Sequence, residues 1–284
     1  MKKFITLVAT AFIIGLTGCS SSAPTAAAAS SEPVGQELNA YYVGEYKAIK
    51  DAKAALTAAG FEIVGDMKSF KKGKTILFTN DALKAEAAKP TRGFVGVMRL
   101  LVDDERKQIS VTNPIYFGKS FMQKDFNYAT FKAIEDSLLN AFPSLKAGVD
   151  HFAYDELSGY HFMMGMPYYD DVVVLAEGKQ ADLLKKATKS KKAKKTLVFE
   201  IKLSETSTLL GYKLGKRTSK FVKKTGTQNA TVLPYCVLIE NGEVKILNAK
   251  YYLAVSYPQL TMGEFMTIAT VPGAIEKDLK KPFK

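Results

Sequence analysis

The stretch Val102–Asn113, which reads VDDERKQISVTN, and the stretch Val237–Asn248, which reads VLIENGEVKILN, decide the fold that the sequence predicts. Each has apolar residues on both sides of a short polar turn, which is the pattern of a β-hairpin. In the second stretch the turn is Asn241-Gly242, the strongest two-residue hairpin signal. An aromatic pair begins three residues after the end of each stretch. The two stretches therefore predict one hairpin unit that occurs twice, and aligning them predicts that Val102 is equivalent to Val237 and Asn113 to Asn248.

Helix and strand patterns precede each hairpin in the same order. In the first half, apolar alternation and periodicity predict a strand, a helix, two strands and a helix at 40–46, 47–59, 61–67, 74–79 and 80–89. In the second half, the corresponding segments lie at 172–175, 179–189, 196–203, 206–214 and 218–225. A long helix before Pro143 closes the first half, and a helical segment that begins at the capping box of Thr261 and Glu264 closes the second. This order predicts an α+β fold of two βαββαββα units, 40–145 and 146–284, with mainly antiparallel sheets and helices packed on one face.

Short motifs in both halves resemble the domain-of-unknown-function 302 family, a group of small bacterial α+β domains. The motifs are Leu56 with Gly60-Phe61, Phe78–Leu83 and Leu233–Glu240. The resemblance covers most of residues 40–115 and, more loosely, 172–248, and it implies a divergent tandem duplication. The family has no established activity, so the resemblance implies a fold and provides no catalytic residues.

The N-terminus predicts a lipoprotein signal peptide, residues 1–18. Lys2 and Lys3 precede an apolar stretch at 4–16 that is too short to span a bilayer. The stretch ends in Leu16-Thr17-Gly18-Cys19, which resembles a lipobox, so we expect cleavage before Cys19 and acylation of that residue, with palmitate among the acyl chains. Because Ser20 rather than Asp follows, the sorting rule of enteric bacteria favours the periplasmic face of the outer membrane.

Residues 19–39 are expected to hold the lipidated cysteine and a flexible tether. Ser, Ala, Thr and Pro dominate the start of this stretch and cannot bury enough apolar surface to offset the entropy of ordering. Such a tether would hold the globular part about 20 Å from the bilayer. Once Cys19 is lipidated, Cys236 is the remaining thiol, so an intramolecular disulfide is excluded. Apolar neighbours predict that Cys236 is buried.

The stretch Lys185–Lys195 contains seven lysines in eleven residues. A solvated helix end with its loop explains such a run. The alternative is contact with anionic lipid or lipopolysaccharide, since lysines are attracted to anionic headgroups. The export signal, and the absence of arginine and aromatic residues between the lysines, argue against a nucleic-acid partner.

A segment outside the repeat, Tyr160–Asp171, is the candidate ligand-binding site. It contains Tyr160, His161, Met163, Met166 and Tyr168, with Met164 between them. Imidazole and thioether together are a ligand set for copper or haem iron, so His161 and Met163 are the candidate metal ligands. As a strand, the segment would place His161 and Met163 on one face but Met164 and Met166 on the other. The alternative is packing, because methionine also fills irregular gaps in protein cores.

The sequence contains no recognisable catalytic motif. The histidines, His151 and His161, accompany no Gly-x-Ser-x-Gly, His-Glu-x-x-His or phosphate-binding loop. We therefore expect an envelope lipoprotein without a resident cofactor, which binds a partner or a small apolar ligand in the groove between the units. The alternatives are periplasmic copper or haem handling through His161 with Met163, Met164 and Met166, and an unrecognised enzyme.

Overall fold

The structure is a computed structural model, which describes residues 31–284 apart from the side chain of Asn229. The predicted signal peptide, Cys19 and the first part of the predicted tether lie outside the described residues. Residues 32–284 form one unit by their contacts. No helix within 31–284 is long and apolar enough to cross a membrane.

The first half is built on a six-stranded antiparallel sheet, called sheet 1, with the strand order β3-β4-β5-β6-β2-β7. The strands are β1 Glu37–Asn39, β2 Tyr41–Glu45, β3 Glu62–Phe70, β4 Gly73–Thr79, β5 Met98–Asp103, β6 Gln108–Thr112, β7 Lys146–Ala147 and β8 His151–Ala153. The helices are α1 Ile49–Ala58, α2 Asp81–Ala87, α3 Pro114–Met122 and α4 Tyr128–Ala141. Strands β1 and β8 form a separate antiparallel pair.

The second half is built on a five-stranded antiparallel sheet, called sheet 2, with the strand order β10-β11-β12-β13-β9. The strands are β9 Val173–Glu177, β10 Leu197–Lys202, β11 Ser207–Tyr212, β12 Tyr235–Glu240 and β13 Glu243–Ile246. The helices are α5 Gln180–Lys189, α6 Ala193–Thr196, α7 Ala249–Ser256, α8 Met262–Thr267 and α9 Val271–Leu279. Helices and antiparallel sheets together confirm the predicted α+β class.

Sheets 1 and 2 share one strand order. When β2 to β6 and β9 to β13 are each numbered from first to fifth, both sheets run second, third, fourth, fifth, first. Even an irregularity recurs at the same register position. In sheet 1 the pairing of the second strand shifts between Ile63 and Gly65, and in sheet 2 it shifts between Leu197 and Phe199.

The two quoted hairpins differ in the length of their turns. Asp103 pairs with Gln108, which leaves a turn of four residues. Glu240 pairs with Glu243, which leaves a turn of two residues. A gap-free alignment that matches the strands after the turn therefore misplaces the strands before the turn by two residues.

Strand register corrects one residue equivalence of the sequence alignment. Val237 occupies the position of Leu100, since each lies three pairs before the turn. The expected equivalence of Val237 with Val102 is wrong because the first turn is two residues longer. After the turn the alignment agrees with the register, and Asn113 and Asn248 are both N-caps, of α3 and of α7.

The expected boundaries at 39/40 and 145/146 differ from the structure. Strand β1 belongs to the folded part, where Leu38 packs against the core, and the Tyr154 hydroxyl donates a hydrogen bond to Glu32 at 2.6 Å. Past residue 145, β7 still pairs with β2 of sheet 1, and β8 pairs with β1. The first half therefore extends beyond both expected boundaries. The added strands β1, β7 and β8 have only two or three residues each, which is too short for a strand pattern to be recognised in the sequence.

The two halves contact each other through equivalent elements. Tyr116 of α3 donates a hydrogen bond to Val255 O of α7 at 2.9 Å. Reciprocally, Tyr251 of α7 donates to Ser120 O of α3 at 3.2 Å. Edge strands β3 and β10 also contact each other, while the 3-10 turns Gly93–Gly96 and Thr227–Val232 each pack on the opposite sheet. The halves thus contact each other through α3 with α7, through β3 with β10, and through the two 3-10 turns.

Candidate functional site

The predicted site segment is an irregular loop rather than a strand. It follows the 3-10 turn Tyr154–Gly159 and contains only bends and turns up to Asp171. The His161 ring lies against the Tyr168 ring, with centroids 4.5 Å apart, and its Nδ1 is 3.3 Å from Gly159 O. The expected strand alternation is wrong because turns, and no partner strand, set the side-chain directions here.

The loop does not gather the five candidate residues into one site. Tyr160 is 4% exposed and packs edge-to-face on Phe152, within the core. His161 and Tyr168 lie together at the surface, whereas Met163 and Met164 are 45% and 95% exposed and Met166 is half-buried. Among the described residues, no group of three or more His, Cys, Asp or Glu side chains is placed to hold a metal ion. The loop presents thioether groups to solvent.

An apolar surface forms where this loop meets α8. Phe162 stacks on Phe265, with ring centroids 5.0 Å apart and an interplanar angle of 24°. Beside this stack, Met262 and Met266 of α8 are 40% and 62% exposed. We call this group of side chains the methionine patch; its exposed members are Met163, Met164, Met262 and Met266, and the stacked rings of Phe162 and Phe265 join its two segments.

Local signals in the sequence account for α8. Thr261 accepts a hydrogen bond from the Glu264 N–H at 3.3 Å, and the Glu264 carboxylate accepts one from the Thr261 N–H at 2.9 Å. This is the predicted capping box, and its hydrogen bonds lower the pKa of Glu264. Met262 and Met266 are four residues apart and so project from one face of the helix. Sequence reasoning found the cap but missed these methionines, although their spacing was a usable signal.

A strongly basic surface extends from the predicted lysine run. Residues 179–224 contain fifteen Lys and Arg against three Asp and Glu, so this segment carries a net charge of +12, equal to that of the whole chain. Exposed cations on and around α5, α6 and the 3-10 turn Thr218–Lys223 form what we call the lysine face. It consists of Lys185, Lys186, Lys189, Lys191, Lys194, Lys195, Lys213, Lys216, Arg217, Lys220, Lys223 and Lys224.

Contacts with the C-terminal residues hold the lysine face together. Lys186 donates to Phe283 O at 3.1 Å, which ties α5 to the C-terminus. The Asp278 carboxylate of α9 accepts a hydrogen bond from the Gly215 N–H at 2.8 Å. An open depression of about 620 Å³ follows α5 and is lined by its lysines together with the carboxylates of Glu177 and Asp182. The ion pairs of Lys202 with Glu205 and of Lys281 with Asp278 involve no cation of the lysine face.

Part of the interface between the halves is open, because sheet 1 and Gln228 line a depression of about 340 Å³. Around Arg99 the interface is packed with aromatic side chains. One cavity there, of about 10 Å³, is lined by Arg99, Cys236 and five apolar or aromatic residues. A neighbouring cavity of about 20 Å³ reaches from Arg99 to Phe131. Each has room for about one water molecule. An apolar ligand of the expected kind would need a volume more than tenfold larger than either of these two cavities.

A buried arginine and the buried thiol meet at this interface. Arg99 is 4% exposed, and its guanidinium donates to Pro234 O at 3.2 Å and to Cys236 Sγ at 2.9 Å. Arg99 and Cys236 occupy equivalent positions in β5 and β12. Burial raises the pKa of the Cys236 thiol, and the nearby Arg99 charge opposes this rise. A thiol that is only 6% exposed is a packing residue and is inaccessible to substrates.

No protein-family model, curated protein or solved structure matches this chain. The resemblance to the domain-of-unknown-function 302 family therefore depends on the sequence motifs alone.

Proposed function

We propose that this protein is a lipid-anchored envelope protein whose lysine face binds an anionic lipid surface, without catalysing a reaction. The observation that carries the proposal is the charge distribution: the net charge of +12 falls within residues 179–224. Exposed lysines near an anionic membrane contribute about 1 kcal/mol each. A few of the twelve cations in contact with headgroups would suffice for binding.

The predicted anchor adds to this attraction. Acylation of Cys19 would keep the folded part near the periplasmic face of the outer membrane, so that lysine contacts form at a high effective concentration. Residues from Glu32 onward belong to one compact unit, so a tether from Cys19 to this unit would be shorter than the expected 19–39. A short tether favours contact between the lysine face and the headgroups of the same membrane, whether phospholipid or lipopolysaccharide.

Vesicle binding tests the proposal. We would use a soluble protein that starts at Ser20 and vesicles of phosphatidylcholine with or without phosphatidylglycerol. Binding is expected only with the anionic lipid and should weaken as salt rises. Replacement of Lys185, Lys189 and Lys194 by Gln should reduce affinity by about 3 kcal/mol, roughly a hundredfold.

A matched variant controls for net charge. Lys68, Lys71 and Lys72 are exposed on the β3–β4 hairpin of sheet 1, outside the lysine face. Their replacement by Gln removes the same charge and should leave most of the binding. Equal losses in the two variants, or equal binding to neutral vesicles, would contradict the proposal.

Copper or haem handling is a second proposal. Its support is the accessibility of His161, Met163 and Met164 within one surface loop. Titration of the soluble protein with Cu(I) and with haem, beside His161→Ala, tests it. Stoichiometric binding that the variant loses would support this function, and the absence of binding by the wild type would refute it.

We also infer that the two halves descend from one duplicated α+β unit. Support comes from the shared strand order, the register shifts at equivalent positions and the N-caps Asn113 and Asn248. An experimental structure in which the two sheets differ in strand order would contradict this inference.

A further inference from the structure

We propose that the methionine patch inserts into the acyl-chain region of the membrane while neighbouring lysines contact headgroup phosphates. This inference rests on the proposed function, because it assigns the orientation in which the lysine face meets the lipid. It adds an apolar contact site that the charge distribution alone does not indicate.

The exposure of the patch is the first argument. Met164 is 95% exposed and Met266 is 62% exposed, and Met163 and Met262 are each at least 40% exposed. Leaving apolar side chains in water is unfavourable. Contiguous apolar surface on a protein marks a site that a partner or a membrane covers.

The construction of the patch is the second argument. Two segments about one hundred residues apart in the sequence meet through the stacked rings of Phe162 and Phe265. The rings support the methionines from below, since Phe265 is 5% exposed. Methionine side chains are unbranched and flexible, so they adapt to an irregular or fluid surface. Flexible apolar side chains of this kind suit insertion between lipids, because they need no rigid complementary surface.

The charges around the patch decide which occupant it fits. Lys224 donates a hydrogen bond to Thr267 O at 2.8 Å, so the basic turn Thr218–Lys223 adjoins the C-terminal end of α8. The carboxylate of α8, Glu264, is held in the capping box. Apolar side chains flanked by lysines are the pattern of proteins that lie in the interface of an anionic membrane.

The carboxylates of the adjoining loop are also engaged. Asp171 accepts a hydrogen bond from the Tyr168 N–H at 2.9 Å. Asp170 lies 3.7 Å from the guanidinium of Arg92. The Tyr168 N–H and the Arg92 guanidinium reduce the repulsion between these two carboxylates and lipid phosphates. The tip of the loop can therefore approach the headgroups.

Tryptophan fluorescence provides a direct test, because the chain contains no tryptophan. Single substitutions Met164→Trp and Met266→Trp place the probe in the patch at exposed positions, where folding is not at risk. Tyr46→Trp places it outside the patch, at a side chain that is 36% exposed. The soluble protein would be mixed with phosphatidylglycerol-containing vesicles whose phosphatidylcholine carries bromine on its acyl chains.

Acyl-chain bromine should quench the tryptophan at 164 and at 266 and leave the one at 46 unquenched, although all three variants bind. Binding without quenching at 164 and 266 would overturn the insertion and leave the proposed function intact. Failure of every variant to bind the vesicles would overturn both.

A second pair of variants separates the membrane from other occupants. Met164→Asp with Met266→Asp should weaken vesicle binding at least about tenfold, since a charge at each position opposes insertion. Tyr46→Asp should not. Self-association of the wild type in the absence of lipid, lost in the double variant, would assign the patch to a second copy of the chain and overturn the proposal.

Discussion

Removal of one hydroxyl from each of two equivalent tyrosines tests how the halves are held together. Tyr116 and Tyr251 are 0% and 1% exposed. Each donates a hydrogen bond across the interface, Tyr116 to Val255 O and Tyr251 to Ser120 O. Substitution by Phe removes the hydroxyl and keeps the ring, so the packing of the two helices is preserved.

The expected magnitudes differ because the two acceptors differ. Ser120 O also accepts a hydrogen bond from the Gln123 amide at 2.6 Å and keeps it when Tyr251 is changed. Val255 lies in the last turn of α7, where carbonyls lack an intrahelical partner, and Pro258, three residues on, has no N–H to donate. A lost hydrogen bond costs about 1 kcal/mol, and a buried acceptor left unpaired raises the cost to about 2–3 kcal/mol.

Urea denaturation followed by far-ultraviolet circular dichroism measures the difference. We expect Tyr116→Phe to lower the free energy of unfolding by about 2 kcal/mol and Tyr251→Phe by about 1 kcal/mol. Tyr168 is 49% exposed, so Tyr168→Phe serves as the control and should change stability by less than about 0.5 kcal/mol. Equal losses in the two buried variants, or a larger loss in Tyr251→Phe, would refute the reasoning from the acceptors.

Further predictions concern the anchor, the thiol and the half-buried carboxyl group of Asp150. Cys19→Ala should abolish the incorporation of labelled palmitate, and continued labelling of that variant would contradict the anchor. In the same variant, the Cys236 thiol should react with a disulfide reagent only after denaturation, because it is buried and burial raises its pKa; rapid reaction of the native protein would be the opposite result. Burial raises the pKa of Asp150 to about 6, above its value in the unfolded chain. The native state therefore binds a proton more tightly than the unfolded state, and stability should rise as pH falls from about 7 to about 5. Asp150→Asn should remove the contribution of this carboxyl group to the increase in stability. An unchanged dependence of stability on pH in that variant would contradict the prediction.

Elements with a strong local signal were predictable from the sequence. The alternation in β10 arises because one side of the strand is buried, as at Phe199 and Ile201. Asn80 caps α2, and the capping box begins α8, as their residue types indicate. These signals depend on side chains near in sequence and on one buried face, so they need no knowledge of distant contacts.

Helices α3 and α7 were not predicted, although they are equivalent in the two halves. Both are buried on nearly every side, so their sequences lack the alternation of apolar and polar faces that identifies a surface helix. A local signal did exist for α3, because Asn113 followed by Pro114 is a favoured N-cap and first helical residue. The buried residues of α3 and α7 pack against each other. The sequence of one helix alone does not reveal this contact.

The candidate surfaces also differ in whether a single segment of the sequence reveals them. The lysine run at 185–195 and the thioether groups near His161 were visible in the sequence, since charge and residue type are properties of a segment. The methionine patch was not, because the stacking of Phe162 on Phe265 alone brings α8 to the loop. By itself the sequence determined the α+β class, most elements and the concentration of positive charge, each of which follows from local pattern or composition. Tertiary structure decided that aromatic side chains pack around Arg99 between the halves and that Phe162 stacks on Phe265, because these depend on contacts between residues far apart in the chain.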